Sequence, residues 1–194
     1  MAEVPSTFQL KTGQKAPDFE LPDGNGSIHS LTSLLEGKNG LLVAFVCNHC
    51  PFVVHLADSF GKFADEIAGS GVGTVAISAN DVENYPADAP DKMVEFASAN
   101  GWNFPYLYDE SQEVAKAYAA ACTPDFYLFD SSGLLTYAGQ YDETRPGRGG
   151  KPTGDDLRSA IADLLENSTT AEPWYPSTGC NIKWKPGEAP DYFG

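Results

Sequence analysis

Basic residues are scarce in this chain. Only 12 of its 194 residues are Lys or Arg, against 27 Asp and Glu, and the formal net charge is −15. The basic residues are also scattered, whereas nucleic acids and anionic lipids bind to clustered Lys and Arg. The composition therefore argues against nucleic acid or a membrane as a partner, and solubility accounts for the acidity.

Long apolar runs are lacking as well. No stretch of about 18 apolar residues occurs, so the sequence predicts no membrane-spanning helix. Residues 1–12 contain no apolar segment of signal-peptide length. We therefore expect a cytoplasmic protein, while noting that a chain trimmed of an export signal would look the same.

Cysteine is too rare for a small disulfide-stapled domain. There are four, Cys47, Cys50, Cys122 and Cys180, and hydrophobic residues make up 42% of the chain, which suffices for a core. Cys47 and Cys50 form a C-x-x-C motif, which in a reducing compartment indicates a catalytic or metal-binding pair. Nothing near Cys180 in the sequence activates it, so we expect packing there, with a resolving role as the alternative.

Strands and helices alternate along the chain. The apolar runs 41–46 and 72–78 are typical of strands buried on both faces. Between them, residues 52–67 have the periodicity of an amphipathic helix, and Pro51 suits its first position. Further helices are predicted over 92–100, 110–121 and 154–165, and further strands over 104–108, 125–130 and 134–140. This order predicts a mixed sheet with helices on both faces.

Two segments flank this α/β core. Asp23-Gly24-Asn25-Gly26 is a strong turn signal, which predicts a hairpin in an N-terminal extension. Residues 168–194 contain four prolines and no clear element, but five aromatic residues. We expect this tail to pack on the body, and we divide the chain into a domain over 1–167 and a tail over 168–194.

The chain resembles the thioredoxin superfamily. Cys47-x-x-Cys50 lies between a buried strand and a helix, and Thr123-Pro124 precedes the first strand of a hairpin, where that superfamily has a cis-proline facing the active cysteine. Gly13 to Leu21 resembles the opening of peroxiredoxins. Asn48-His49-Cys50-Pro51 resembles an uncharacterised peroxiredoxin-like branch, related to alkyl hydroperoxide reductase and thiol-specific antioxidant proteins. The resemblance implies a thioredoxin fold, with an N-terminal hairpin extension and a C-terminal tail.

This resemblance leaves two registers for the cysteine motif. In the register that we favour, Cys50 is the nucleophile, and Cys47 takes the upstream place that Thr or Ser occupies in peroxiredoxins. The free N–H groups and dipole of a helix N-terminus favour a thiolate at Cys50, and His49 is placed to assist. In the other register, Cys47 attacks and Cys50 resolves. Cys122 is a further candidate resolving cysteine, or else a buried structural thiol.

We therefore expect a thiol-dependent redox enzyme, either a thiol–disulfide oxidoreductase or a peroxiredoxin-like protein. Its substrate is expected to be a peroxide or a protein or small-molecule disulfide, with a thioredoxin-like protein as candidate electron donor and no cofactor. The expected catalytic residues are Cys50, Cys47 and Cys122, and the expected substrate-binding residues are Thr123, Pro124, His49 and Pro51.

Two alternatives remain open. No arginine occurs between the motif and Arg145, and Ala44 stands where thioredoxins carry a buried acid, so one alternative is a catalytically inactive scaffold. The other is a metal-binding domain, because Cys47, Cys50, Cys122 and a nearby histidine offer the thiolate and imidazole ligands that zinc accepts.

Overall fold

Ten β-strands and five α-helices alternate along residues 3–193, the part of the chain that this computed structural model describes. The strands are β1 (Glu3–Pro5), β2 (Glu20–Pro22), β3 (Ile28–Ser30), β4 (Gly40–Phe45), β5 (Val72–Ser78), β6 (Tyr106–Tyr108), β7 (Cys122–Thr123), β8 (Asp125–Asp130), β9 (Leu135–Gly139) and β10 (Thr178–Asn181). The helices are α1 (Leu31–Leu35), α2 (Pro51–Ala68), α3 (Pro90–Ala99), α4 (Glu113–Ala117) and α5 (Asp155–Leu165), with a 3-10 turn at Pro86–Asp88.

A five-stranded mixed sheet lies at the centre, in the order β6-β5-β4-β8-β9. β4 pairs in parallel with β5 and antiparallel with β8. Side chains alternate across a strand, so Leu42 and Ala44 enter the core under α2 and α5. Leu41, Val43 and Phe45 enter the opposite core, with α1 and α4. The mixed sheet with helices on both faces, predicted from the sequence, is confirmed.

A second, three-stranded sheet has the order β1-β10-β7. The sequence predicted neither β1 nor β10, because strands of three and four residues are too short to show a period. β10 belongs to the tail, for which no element was expected. It runs antiparallel to β7, and Cys180 lies opposite Thr123. The tail therefore reaches the loop that carries Pro124.

The predicted N-terminal hairpin is confirmed, with β2 and β3 joined through the turn at residues 23–26. The predicted helix over 110–121 is too long, because α4 covers only Glu113–Ala117. Gln112 and Ala119 adopt left-handed φ values of 65° and 51°, which bound the helix on either side. Among the helices of the described residues, none has both the length and the apolar content to cross a membrane.

Candidate active site

The C-x-x-C motif connects the carboxyl end of β4 to the start of α2. Cys50 is the N-cap of α2, and Pro51 is the first helical residue. Proline suits that position because the first turn does not need its missing N–H. The other N–H groups of the first turn lie close to Cys50. Cys47 and Cys50 are 1% and 0% exposed, so both motif thiols are buried, while Pro51 beside them is exposed.

Thr123 brings the loop before β8 against both cysteines. The Thr123–Pro124 peptide bond is cis. The Cys50 Sγ lies 3.0 Å from the Thr123 carbonyl oxygen, a contact that needs the protonated thiol, and the Cys47 Sγ lies 3.4 Å from the Thr123 Oγ1. The structure therefore brings together Cys47, Cys50 and Thr123, which the sequence placed in one site.

The pKa of Cys50 falls to about 5, well below the ~8.5 of a free cysteine. Hydrogen bonding to the Cys47 thiol is the largest cause. Burial opposes the shift, while the Cys180 side chain and the backbone of Val53 and Cys180 add to it. Together these donors outweigh the Thr123 carbonyl, which favours the thiol form. The lowered pKa therefore favours the thiolate form of Cys50 at neutral pH.

Cys47 shows the opposite behaviour. Its pKa lies well above the ordinary value, first because of its hydrogen bond with Cys50, and then because of burial and the negative charge of Asp88. The pair therefore holds one proton at neutral pH, and that proton is on Cys47. This distribution favours the register in which Cys50 is the nucleophile.

Cys180 also lies at the site, whereas the sequence favoured a packing role for it. It lies on β10 opposite Thr123, and it is 4% exposed. Burial raises the pKa of Cys180 to about 12, with further contributions from hydrogen bonding to Cys50 and from its charge. No local pattern around Cys180 signals this position, because strand pairing across the fold creates it.

Cys122 is fully buried, but it lies outside the buried cluster that contains Cys47, Cys50 and Cys180, although the charges of Cys50 and Cys180 act on it. Its thiol donates to the carbonyl oxygen of Pro124 over 3.5 Å and interacts with the side chain of Ser6. Burial raises the pKa of Cys122 well above its ordinary value. Within the described residues, its hydrogen bonds do not include either motif cysteine. A resolving role for Cys122 stays a prediction that this geometry does not favour.

His49 turns its ring towards Asp88 in the 3-10 turn. The Nδ1 atom lies 2.7 Å from the Asp88 Oδ2, and this hydrogen bond raises the pKa of His49. The ring also stacks on Tyr85, with centroids 5.8 Å apart. Asp88 was not singled out in the sequence, because it lies in a stretch rich in Pro, Asp and Ala that reads as a loop.

Asp88 is fully buried, and three donors satisfy it. Besides His49, its carboxylate accepts from the Asn48 backbone N–H and from the side chain of Asn80, each over 2.8 Å. Burial would raise the pKa of Asp88, but these donors outweigh it and hold the pKa below its usual value. Asn80 also accepts from the Lys183 N–H, so it links the tail to the motif loop.

Comparison with known proteins places this chain in a family. Residues 12–138 match the model of the AhpC/TSA family. The chain belongs to that family. Peroxiredoxin Bcp of Escherichia coli is 30% identical over 109 residues, which cover 56% of this chain and 64% of Bcp. The thiol-disulfide oxidoreductase ResA of Geobacillus thermodenitrificans is 28% identical over 133 residues, 65% of this chain and 67% of ResA.

A solved structure extends the similarity over nearly the whole chain. The hypothetical protein SMc02350 of Sinorhizobium meliloti is 44% identical, with a TM-score of 0.91, and the match covers 94% of this chain and 99% of that one. The resemblance inferred from the sequence is confirmed, as is the thioredoxin fold. The protein is a thiol-dependent redox protein of the AhpC/TSA family.

Arg145, the first arginine after the motif in this AhpC/TSA protein, lines a pocket beside the cis-proline. The pocket also contains Phe52, His55 and Pro124. The Arg145 guanidinium donates to the Gln140 Oε1 over 2.6 Å and to the carbonyl oxygens of Asp142 and Thr144. These bonds hold it within its own loop. The shift at Cys50 therefore comes from neighbouring thiols and backbone groups.

A metal site is poorly supported in this AhpC/TSA protein. Cys47, His49 and Asp88 each offer a ligand atom, and these atoms lie within 4.8 Å of one another. Structural zinc sites have four ligands, and this set has three. The His49 Nδ1 and the Asp88 carboxylate also already bond to each other. Cys122, expected as a ligand in the metal-binding alternative, is not in the cluster.

Proposed function

We propose that this protein reduces a hydroperoxide at Cys50, and that Cys47 resolves the oxidised product. The observation that carries the proposal is the split between the two thiols: the pKa of Cys50 is lowered to about 5, while that of Cys47 is raised. A nucleophile must be a thiolate at working pH, and Cys50 is the thiol of the pair whose pKa favours that form.

The chemistry has two steps. The Cys50 thiolate attacks one peroxide oxygen, the O–O bond breaks, and the leaving oxygen takes a proton and departs as an alcohol or water. Cys50 becomes a sulfenic acid. The Cys47 sulfur then attacks the Cys50 sulfur, and its proton leaves with the sulfenic oxygen as water. A Cys47–Cys50 disulfide remains, and a dithiol reductant such as a thioredoxin-like protein returns both thiols.

Small oxidants suit this site better than protein disulfides do. Both motif cysteines are at most 1% exposed, and the Thr123 carbonyl lies against Cys50. A peroxide needs only a narrow path, whereas a protein disulfide must bring its own backbone to the sulfur. The similarity to ResA keeps thiol–disulfide exchange as the second candidate. We include a cytoplasmic location in the proposal, because a reducing compartment supplies the electrons for turnover.

Peroxide consumption by purified protein in the presence of dithiothreitol tests the proposal. We expect the wild-type protein to consume many equivalents, and Cys50→Ser to fall to the rate of the buffer. Insulin reduction, measured on the same samples, tests the second candidate. Full peroxide consumption by Cys50→Ser would refute the assignment of the nucleophile. Insulin reduction without peroxide consumption would replace the proposed reaction with disulfide exchange.

A further inference from the structure

Thr123 contacts three cysteines. Its carbonyl oxygen lies 3.0 Å from the Cys50 sulfur, and its hydroxyl lies 3.4 Å from the Cys47 sulfur. The same hydroxyl donates to the carbonyl oxygen of Cys180 over 3.4 Å, and Cys180 is its partner across β7 and β10. Directly paired residues of antiparallel strands have Cα atoms about 4.5–5.5 Å apart. Thr123 thus gathers Cys47, Cys50 and Cys180 around one residue.

Cys50 and Cys180 also lie in the same buried cluster of side chains, together with Cys47. In agreement with this placement, Cys50 and Cys180 each contribute to the shifted pKa of the other. Cys50 therefore shares its buried surroundings with two other thiols, Cys47 on its own loop and Cys180 on the tail. Cys122 differs, because it is not a member of that cluster and its thiol donates to the carbonyl oxygen of Pro124.

Strand pairing fixes the position of Cys180 from both sides. β10 lies between β1 and β7, and the N–H of Ile182, just past the strand, donates to the Ala121 carbonyl oxygen over 3.0 Å. Gly179, the preceding residue, has no room for a side chain, because a Cβ there would collide with the Thr123 carbonyl. Cys180 is therefore held against the site by close backbone packing.

We propose that Cys180 is a second resolving cysteine, which captures oxidised Cys50 in a Cys50–Cys180 disulfide. This inference rests on the proposed function in one respect, that Cys50 is the thiol that becomes oxidised. It adds a residue from the tail to the redox centre, and it implies that oxidation links β10 covalently to the N-terminus of α2.

The step balances without a further reagent. The Cys180 sulfur attacks the sulfur of the Cys50 sulfenic acid, an S–S bond forms, and the S–O bond breaks. The Cys180 proton and the departing hydroxyl leave as water. The Cys50 charge is one cause of the raised pKa of Cys180, after burial. Oxidation of Cys50 removes that charge, so Cys180 becomes easier to deprotonate when it is needed.

A Cys47→Ser background isolates the inference, because serine keeps a hydrogen-bond donor beside Cys50 while removing the competing thiol. One equivalent of hydrogen peroxide is added, free thiols are alkylated, sulfenic acid is trapped with dimedone, and the peptides are mapped by mass. We expect a Cys50–Cys180 disulfide as the main product. The matched variant Cys47→Ser/Cys122→Ser should give the same product, and Cys47→Ser/Cys180→Ser should give dimedone-labelled Cys50.

Different results distinguish the two proposals. Dimedone-labelled Cys50 in Cys47→Ser, or a disulfide between Cys50 and Cys122, would overturn the role of Cys180 and leave peroxide reduction intact. A parallel arm replaces peroxide with oxidised dithiothreitol. A Cys50–Cys180 disulfide in that arm alone supports the pairing and contradicts peroxide as the oxidant. Absence of the disulfide from both arms overturns the inference. Mapping of the wild-type protein adds a measurement that depends on no substitution, and a Cys50–Cys180 fraction is expected there too.

Discussion

Cys50 and Cys47 are neighbouring buried thiols whose pKa values are shifted in opposite directions. The interaction between the two thiols is the largest cause of both pKa shifts, which favour a thiolate on Cys50 and a proton on Cys47; burial and the charge of Asp88 raise the pKa of Cys47 further. These opposite shifts support the proposal that the second cysteine of the motif is the nucleophile. Thiol and backbone groups, rather than an arginine, account for the lowered pKa of Cys50.

The thiolate of Cys50 can be titrated directly. We expect the thiolate absorbance near 240 nm to rise with a midpoint of about pH 5 in the wild-type protein. Cys50→Ser should lose this transition. Cys47→Ala should move it to higher pH by at least about one unit, because the largest stabilising contact is removed. Absorbance needs no reagent to reach the buried sulfur.

Cys122→Ser serves as the control for that titration, since it removes a buried thiol whose hydrogen bonds lie elsewhere. It should leave the midpoint near pH 5. A wild-type midpoint near the ~8.5 of a free cysteine would contradict the electrostatics described for Cys50.

Residues close in sequence were predictable at this scale, and distant ones were not. Cys47, His49, Cys50 and Pro51 lie in one run, so a strand followed by a helix was enough to place them. Asp88 and Cys180 join the site through contacts formed only in the folded chain. Neither residue has a local pattern that sets it apart from an ordinary loop aspartate or a buried cysteine.

At the scale of elements, the position of α2 determines where Cys50 lies. One face of the helix packs closely on the loop after α3. Gly61 has no side chain there, and a Cβ would collide with the Asn100 carbonyl and lie 3.1 Å from Trp102. The Trp102 indole N–H donates to the Ala57 carbonyl over 2.9 Å, which fixes the same face.

Gly61→Ala tests this close packing. Alanine normally favours a helix over glycine by about 1 kcal/mol. Here we expect the opposite sign, a loss of about 1–3 kcal/mol in the free energy of unfolding, because backbone has to move away from the new methyl group. Urea unfolding followed by circular dichroism measures the change. Lys62→Ala, at the exposed next position, should stay within about 0.5 kcal/mol. A more stable Gly61→Ala variant would show that the backbone at Asn100 moves away from the new methyl group at little cost.

The elements that could be predicted from the sequence are those with a strong hydrophobic pattern. β5 matches its predicted range, and β4 and α2 differ by a residue or so at each end, because continuous apolar runs and a clear helical stripe mark them. β1 and β10 are too short to show a hydrophobic period, so the sequence does not predict them. They pair only with each other and with β7. The end of α4 depends on the left-handed φ of Ala119, which alanine rarely adopts.

At the scale of the whole molecule, both ends of the chain meet the central sheet near Asp125. This residue begins β8, and its carboxyl accepts from the Ser6 hydroxyl over 2.7 Å and from the Tyr127 hydroxyl over 3.0 Å. Its charge also acts on Tyr192 in the tail. The sequence noted no buried acid on β4, where Ala44 stands, but the fold places one on the neighbouring strand, 1% exposed.

Asp125 should make stability depend on pH. Burial raises its folded-state pKa to about 7, against ~3.9 in an unfolded chain. Below about pH 4 the carboxyl is protonated in both the folded and the unfolded chain, and it makes its full contribution to the free energy of unfolding. Between about pH 4 and 7 unfolding releases its proton, so this contribution falls as pH rises.

We therefore expect Asp125→Asn to gain stability relative to wild type between pH 4.5 and 8, by at most about 4 kcal/mol. Urea unfolding at both pH values measures the difference, with the exposed Asp91→Asn as control for the lost charge. A gap between Asp125→Asn and wild type that is equal at both pH values would show that Asp125 titrates alike in the folded and unfolded chain.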